Sequence, residues 1–132
     1  MSSPETLPAA RQIAVFVVED EALVALNLED MLVDLGFRVE ASAMRIEQAL
    51  DIIDRGCAAD VAILDVNLAG KPVFPVAERL AEAGMAIVFA TGYGRSGLPE
   101  QWQGSQVLQK PYTMEQIATC LNAAVAAMRE TT

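Results

Sequence analysis

The sequence contains no histidine, only two cysteines and no apolar run close to the roughly 20 residues that span a bilayer. Without histidine, histidine-based acid–base catalysis and most transition-metal sites are excluded. Two cysteines in a chain of 132 residues are too few for a disulfide framework. We therefore expect Cys57 and Cys120 to be free and to serve packing.

Positive charge is scarce as well. Nine Lys and Arg residues are scattered among 18 Asp and Glu residues, and the formal net charge is −9. A nucleic-acid-binding surface needs clustered basic residues, so we expect no nucleic-acid partner. The first residues lack a basic segment followed by an apolar one, so we expect no membrane partner and a cytoplasmic location.

Hydrophobic residues make up 53% of the chain, which is enough for one packed domain. We predict a flexible arm over residues 1–11 and a single domain over residues 12–130. In that domain, short apolar runs alternate with helical patterns, and the predicted strands cover residues 13–19, 37–43, 60–65, 85–90 and 106–109. Five β–α units without a hairpin signal predict an α/β fold, a doubly wound five-stranded parallel sheet with helices on both faces.

The segment 92–104 is the weakest part of this pattern. It holds four glycines and Pro99, and Leu98 and Trp102 provide its hydrophobic face. A helix there would be short and marginal, so we expect this segment to be the most mobile part of the fold.

Polar residues follow four of the five predicted strands. Each of them, taken alone, is an ordinary turn or helix-cap residue. Because the carboxyl ends of parallel strands lie at one edge of a sheet, where such folds bind ligands, we expect these residues to meet there. They are Glu19 and Asp20 at the end of the first strand, Asp65 and Asn67 at the end of the third, Thr91 at the end of the fourth and Lys110 after the fifth.

The acidic members of this set predict a cation site. Like charges about 4 Å apart at an effective dielectric near 20 repel by roughly 4 kcal/mol, so Glu19, Asp20 and Asp65 must bind a cation or take up protons. Oxygen ligands favour a hard ion, with Mg²⁺ first and Mn²⁺ or Ca²⁺ as substitutes. An Asp carboxylate beside Mg²⁺ and a lysine is a competent nucleophile toward a phosphoryl group.

Four motifs at these strand ends, VVEDE, ILDVN, FATG and QKPY, resemble in order and spacing the receiver domain of two-component response regulators. The resemblance covers the chain after the N-terminal arm and implies a flavodoxin-like sheet of strand order 2-1-3-4-5. It implies that Asp65 is the phosphoacceptor, that Thr91 hydrogen-bonds the phosphoryl group and that Lys110 pairs with it. The Lys110–Pro111 bond is typically cis in this family.

The same resemblance implies the metal ligands. Asp20 and Asp65 would bind Mg²⁺ directly, Glu19 would bind it through water, and Asn67 would bind it through its main-chain carbonyl oxygen.

Three positions depart from the usual receiver pattern. Glu19 replaces a more frequent Asp, and Ala69 replaces the Pro usually found four residues after the phosphoacceptor. Val107 replaces the Tyr or Phe usually found three residues before the lysine, so an aromatic switch at this position is excluded. The FATGYG run resembles the FATGUY subgroup, whose members are often single-domain receivers partnered with HWE or HisKA2-type histidine kinases.

The resemblance implies a regulator without an external substrate. A histidine kinase would phosphorylate Asp65, and the protein would signal through a downstream protein partner, pass the group to a phosphotransfer protein as a shuttle, or act as a phosphate sink. We expect only self-catalysed phosphorylation and autodephosphorylation. Tyr93 and Asn67, two residues after Thr91 and Asp65, are expected to flank the phosphoryl site.

Two alternatives stay open. One is a Mg²⁺-dependent phosphatase or phosphotransferase with an Asp nucleophile. Haloacid-dehalogenase-like phosphatases place that Asp in a DxD after their first strand, where this chain has EDE, and the DVN here breaks the DxD of Toprim-type nucleotidyl transferases. The other is a pseudo-receiver that binds a partner without phosphorylation, against which the full set of acids, Thr and Lys argues.

Overall fold

A five-stranded parallel sheet forms the centre of the molecule. The computed structural model describes residues 12–130, and the arm predicted for residues 1–11 lies outside them. The sheet strands are β1 (Ala14–Val18), β2 (Arg38–Ala43), β3 (Val61–Asp65), β4 (Ala86–Thr91) and β5 (Gln106–Gln109). Their order is β2-β1-β3-β4-β5, and every neighbouring pair is parallel, which confirms the predicted order 2-1-3-4-5.

Helices cover both faces of this sheet. They are α1 (Ala22–Asp34), α2 (Ile46–Asp54), α3 (Phe74–Glu82) and α4 (Met114–Glu130). One core lies between the sheet and α1 and α4, and a second lies between the sheet and α2 and α3. Val15 and Val17 of β1 enter the first core, whereas Phe16 and Val18 enter the second. A strand with both faces buried needs apolar residues throughout, which is why the run from residue 13 lacks polar alternation.

Strand β2 lies at the edge of the sheet, as predicted, but its alternation is interrupted. Val15 pairs with Val39, whereas the next residue of β1, Phe16, pairs with Ala41, so Glu40 is an extra residue in β2. Such a bulge rotates the residues that follow it. Val39 accordingly packs with the first core and Ala41 with the second.

Two segments depart from simple β–α alternation. In the segment 92–104, two single 3-10 turns, Arg95–Gly97 and Glu100–Trp102, take the place of a helix, and Leu98 and Trp102 pack against the second core. After β3, Asn67–Leu68 pairs antiparallel with Lys71–Pro72. The expectation of no hairpin was therefore wrong here, because a two-residue hairpin turned by Ala and Gly lacks the Asn-Gly or Asp-Gly signal.

Several smaller expectations are also settled by the structure. Both cysteines are free, and the Lys110–Pro111 peptide bond is cis. No helix within residues 12–130 is long and apolar enough to cross a membrane.

Candidate functional site

A cleft of about 330 Å³ lies at the carboxyl edge of the sheet. Its walls come from the ends of β1, β3 and β4 and from the residue after β5, because all these strands run in the same direction. The residues lining it are Asp20, Glu21, Asp65, Val66, Asn67, Gly70, Thr91, Gly92, Tyr93 and Lys110. Glu19 is buried and reaches the same place through its contact with Lys110. The structure therefore brings all six predicted site residues together.

Three carboxylates converge at the cleft. One ligand oxygen from each of Glu19, Asp20 and Asp65 lies within 4.8 Å of the others. The Nζ atom of Lys110 lies 3.1 Å from Oδ2 of Asp65 and 3.3 Å from Oε1 of Glu19. Among residues 12–130, Lys110 is the cation that contacts this acidic cluster, so the cluster carries an excess of negative charge.

Burial and charge shift the protonation of this cluster. The side chain of Glu19 is 3% exposed, and burial raises its pKa from 4.5 to about 7, with the charge of Asp65 acting in the same direction. Burial alone would lower the pKa of Lys110, but its hydrogen bonds to, and the charges of, Asp65 and Glu19 outweigh burial and raise that pKa. Lys110 thus stays charged, and Glu19 keeps its proton to a higher pH than a glutamate in water does.

Backbone N–H groups two residues further along fix the side chains at the ends of β3 and β4. The N–H of Asn67 donates to Oδ1 of Asp65 at 3.2 Å. In the same way, the N–H of Tyr93 donates to Oγ1 of Thr91 at 3.0 Å. These short turns are ordinary for Asp and Thr, and they hold both side chains at the floor of the cleft while Asn67 and Tyr93 themselves are exposed.

The hairpin after β3 adds a contact that the sequence analysis missed. The N–H of Ala69, at the hairpin tip, donates to Oδ2 of Asp20 at 3.0 Å across 49 positions of sequence. The sequence held one signal for this contact: Ala69 replaces the usual Pro, and Pro has no N–H to donate. The sequence could not show where that N–H would point.

The donor set of the cleft fits a hard divalent cation. It consists of carboxylate oxygens, and neither cysteine contributes to the group that could hold a metal ion in the described part of the chain. Oxygen donors in a negatively charged group are the ligands that Mg²⁺ prefers. The ligand atoms of the cleft therefore fit Mg²⁺, the ion that the sequence predicts.

Comparison with known proteins gives the family. Residues 15–122 match the response regulator receiver domain family. The solution structure of SdrG from Sphingomonas melonis Fr1 is similar with a TM-score of 0.76 and 38% identity, covering 91% of this chain and 99% of that one. A structure described as the BeF3-activated conformation of SdrG, from Pseudomonas melonis Fr1, gives a TM-score of 0.74 and 38% identity over 87% of this chain and 98% of that one.

Two curated relatives are transcriptional regulatory proteins. TdiR from Thauera aromatica is 32% identical over 88% of this chain and 52% of its own length. PdtaR from Mycobacterium tuberculosis is 27% identical over all of this chain and 66% of its own length. The chain thus spans about half to two thirds of the length of these relatives.

Proposed function

Because the chain belongs to the response regulator receiver domain family, we propose that it is a phosphoacceptor of two-component signalling and that Asp65 takes the phosphoryl group. A receiver domain is a signalling module and not an enzyme with an external substrate. We assign this domain to residues 12–130. The observation that carries the proposal is the convergence of three carboxylates and the Lys110 ammonium in the cleft.

The proposed reaction is a displacement at phosphorus. These 132 residues include no histidine, so a phosphohistidine donor must lie outside them. A carboxylate oxygen of Asp65 attacks the phosphorus atom, and the O–P bond forms as the N–P bond of the donor breaks. The leaving imidazole keeps the electron pair of the broken bond and takes a proton from solvent. Lys110 Nζ, 3.1 Å from Oδ2 of Asp65, orients the nucleophile and pairs with a phosphoryl oxygen.

We propose that Asp20 and Asp65 hold Mg²⁺ directly, that Glu19 holds it through water and that Asn67 contributes its main-chain carbonyl oxygen. Mn²⁺ is a reasonable substitute at oxygen ligands. Bound there, the ion would offset the negative charge of the carboxylates and of the phosphoryl oxygens. Support comes from the 4.8 Å grouping of the carboxylates and from the pKa of Glu19, which burial raises and the charge of Asp65 raises further.

Thr91 is the proposed sensor of the phosphoryl group. It is 5% exposed, and its Oγ1 accepts the Tyr93 N–H, which leaves the hydroxyl hydrogen free to donate to a phosphoryl oxygen. Tyr93 and Asn67 line the same cleft and are exposed. We propose that these two side chains control the access of water to the aspartyl phosphate; the idea is dropped if Tyr93→Ala and Asn67→Ala both leave the aspartyl-phosphate lifetime unchanged.

We propose that the response travels through the segment 92–104 and not through strand β5. Val107 of β5 is a stiff β-branched residue next to Phe89 of β4. The aromatic group near this position comes from the segment itself, because the ring of Trp102 lies 5.5 Å from that of Phe89 in an edge-on contact. A shift of Thr91 could therefore be passed to the segment 92–104 through the contact between Phe89 and Trp102.

The proposed phosphoryl donor is a histidine kinase, and the FATGUY likeness implies one of the HWE or HisKA2 type. We place the protein in the cytoplasm, where it would act on a downstream protein, serve as a phosphorelay shuttle or act as a phosphate sink. Neither alternative function gains support from the cleft. The family match is to a receiver domain, which argues against a phosphatase, and a pseudo-receiver would be expected to have lost part of the set that meets here.

Beryllofluoride, a mimic of a phosphoryl group on a carboxylate, tests the proposal. We expect that adding it with MgCl2 shifts the ¹H–¹⁵N resonances of residues around Asp65, Thr91 and Lys110, and that Asp65→Asn abolishes these shifts. Glu115→Gln, an exposed substitution on α4 with the same loss of charge, is the matched control and should respond like the wild type. Equal responses of wild type and Asp65→Asn would overturn the assignment.

A further inference from the structure

The tip of the hairpin after β3 has an unusual backbone. Ala69 has φ 53° and Gly70 has φ 84°, and Ala69 is the one non-glycine residue with positive φ among residues 12–130. Positive φ at both central residues is the geometry of a tight hairpin turn. For alanine it costs about 1 kcal/mol or more, because Cβ crowds the following carbonyl oxygen. Backbone strain of this kind clusters at functional sites, where the conformation often has a role in addition to closing the turn.

The conformation directs a main-chain donor at a carboxylate of the site. The N–H of Ala69 lies 3.0 Å from Oδ2 of Asp20. Asp20 follows β1, is only partly buried, and makes no contact with Lys110 among the ion pairs of the described residues. A hydrogen bond from a fixed N–H to an ionised carboxylate is among the stronger kinds and restricts the rotamer of the side chain.

The hairpin is anchored on both sides of its tip, so this N–H is held in place. Leu68 is 1% exposed and Val73 is fully buried, and both belong to the core beside α2 and α3. The N–H of Val73 donates to the carbonyl oxygen of Val66 at 2.9 Å, which closes the base of the hairpin on the end of β3. The donor is thereby fixed relative to Asp65, the last residue of the same strand.

We propose that Ala69 is a positioning residue of the cation site: its main-chain N–H holds the carboxylate of Asp20 in the orientation that binds a hard divalent cation together with Asp65 and Glu19. The residue at position 69 then sets the affinity for Mg²⁺ without contacting the ion. This inference rests on the proposed metal site. A proline at this position has no N–H and a φ near −65°, so it cannot supply the contact.

The alternative is that the turn only closes the hairpin, and a pair of substitutions separates the two roles. Ala69→Pro removes the N–H, whereas Ala69→Gly keeps it and relieves the strain at positive φ. Titration of each protein with MgCl2 alone, followed by ¹H–¹⁵N NMR, gives the dissociation constant, and urea unfolding gives the stability. We expect Ala69→Pro to weaken Mg²⁺ binding by about tenfold, as for the loss of one charge-assisted hydrogen bond. Ala69→Gly should bind Mg²⁺ at least as tightly as the wild type.

A second measurement does not depend on how Ala69→Pro folds. In the metal-free protein, Asp20→Ala should move the Ala69 amide proton upfield and speed its exchange with solvent. An Ala69 amide that is unchanged in Asp20→Ala overturns the proposal, and so does a folded Ala69→Pro protein that binds Mg²⁺ like the wild type. If the wild type binds Mg²⁺ and accepts a phosphoryl group but Ala69→Pro binds equally well, only the positioning role falls. If the wild type does not bind Mg²⁺, the proposed metal site falls with it.

Discussion

At the scale of single residues, the site is a problem of charge balance. The Lys110 ammonium contacts two of the three clustered carboxylates, at 3.1 Å from Asp65 and 3.3 Å from Glu19. Burial of Glu19, the most deeply buried of the three acids, raises its pKa to about 7, and the charge of Asp65 acts in the same direction. A divalent cation would offset the negative charge at these oxygens. The folded protein should therefore be stabilised by such an ion.

We expect MgCl2 to raise the melting temperature of the wild type. At a tenfold excess over the dissociation constant, preferential binding to the folded state contributes about 1.4 kcal/mol, or about 5 °C for a domain of this size. The rise should be smaller in Asp65→Asn, which loses a proposed ligand. Glu115→Gln removes an equal charge from an exposed site on α4 and should show the full rise. The same rise with NaCl at matched ionic strength would contradict the account.

The convergence of the proposed site residues could be predicted from sequence, but the hydrogen bond that supports Asp20 could not. Each of the acids, the threonine and the lysine of the site lies at or directly after the carboxyl end of an apolar strand: Glu19, Asp20, Asp65, Thr91 and Lys110. Parallel strands bring their carboxyl ends together, so the sequence predicts that these side chains lie close to one another. The hydrogen bond from the Ala69 N–H depends on a positive φ. Alanine gives no sign of that conformation, because the surrounding hairpin and not the residue imposes it.

At the scale of elements, the segment 92–104 is held by side-chain hydrogen bonds in addition to the backbone hydrogen bonds of its two 3-10 turns. The Arg95 guanidinium donates to the carbonyl oxygens of Gln103 and Ser105, and the Gln103 amide donates to those of Arg95 and Leu98. Trp102, in the same segment, packs edge-on against Phe89. Four glycines and a proline predicted that a helix would be weak here. The hydrogen bonds between Arg95 and Gln103 were not predictable, since they join two polar residues eight positions apart through backbone carbonyl oxygens.

Trp102 should contribute measurably to global stability. We expect Trp102→Ala to lower the free energy of unfolding by about 2 kcal/mol, below the loss for a fully buried Trp because this side chain is partly exposed. The exposed neighbour in Gln101→Ala is the control and should change the stability by less than about 0.5 kcal/mol. Urea unfolding checks both values; equal stabilities of the two variants would show that the contact with Phe89 contributes little.

The segment should also report phosphorylation. We expect beryllofluoride with Mg²⁺ to change amide hydrogen exchange across residues 92–104, because the hydroxyl of Thr91 gains a new acceptor directly before them. Thr91→Ser keeps the hydroxyl and should retain the change, whereas Thr91→Ala should lose it. Protection that is unchanged across 92–104 in the wild type would count decisively against this route.

At the scale of the whole molecule, one topology explains where the site lies. The order β2-β1-β3-β4-β5 puts β1, β3, β4 and β5 side by side, so the chain delivers acids, hydroxyl and ammonium to one edge from four adjacent strands. The apolar runs predicted the buried strands well, because both faces of β1 and β3 are covered by helices. The edge strand β2 was less regular than predicted, since a bulge at Glu40 moves its side chains from one core to the other.

The most direct measurement of the central claim is labelling by acetyl phosphate, followed by intact mass. We predict that the wild type gains the mass of one phosphoryl group in the presence of MgCl2, that excess EDTA prevents the gain, and that Asp65→Asn gains nothing. Glu115→Gln should be labelled like the wild type. An unlabelled wild type, or equal labelling of Asp65→Asn, would contradict the assignment of Asp65 as the phosphoacceptor.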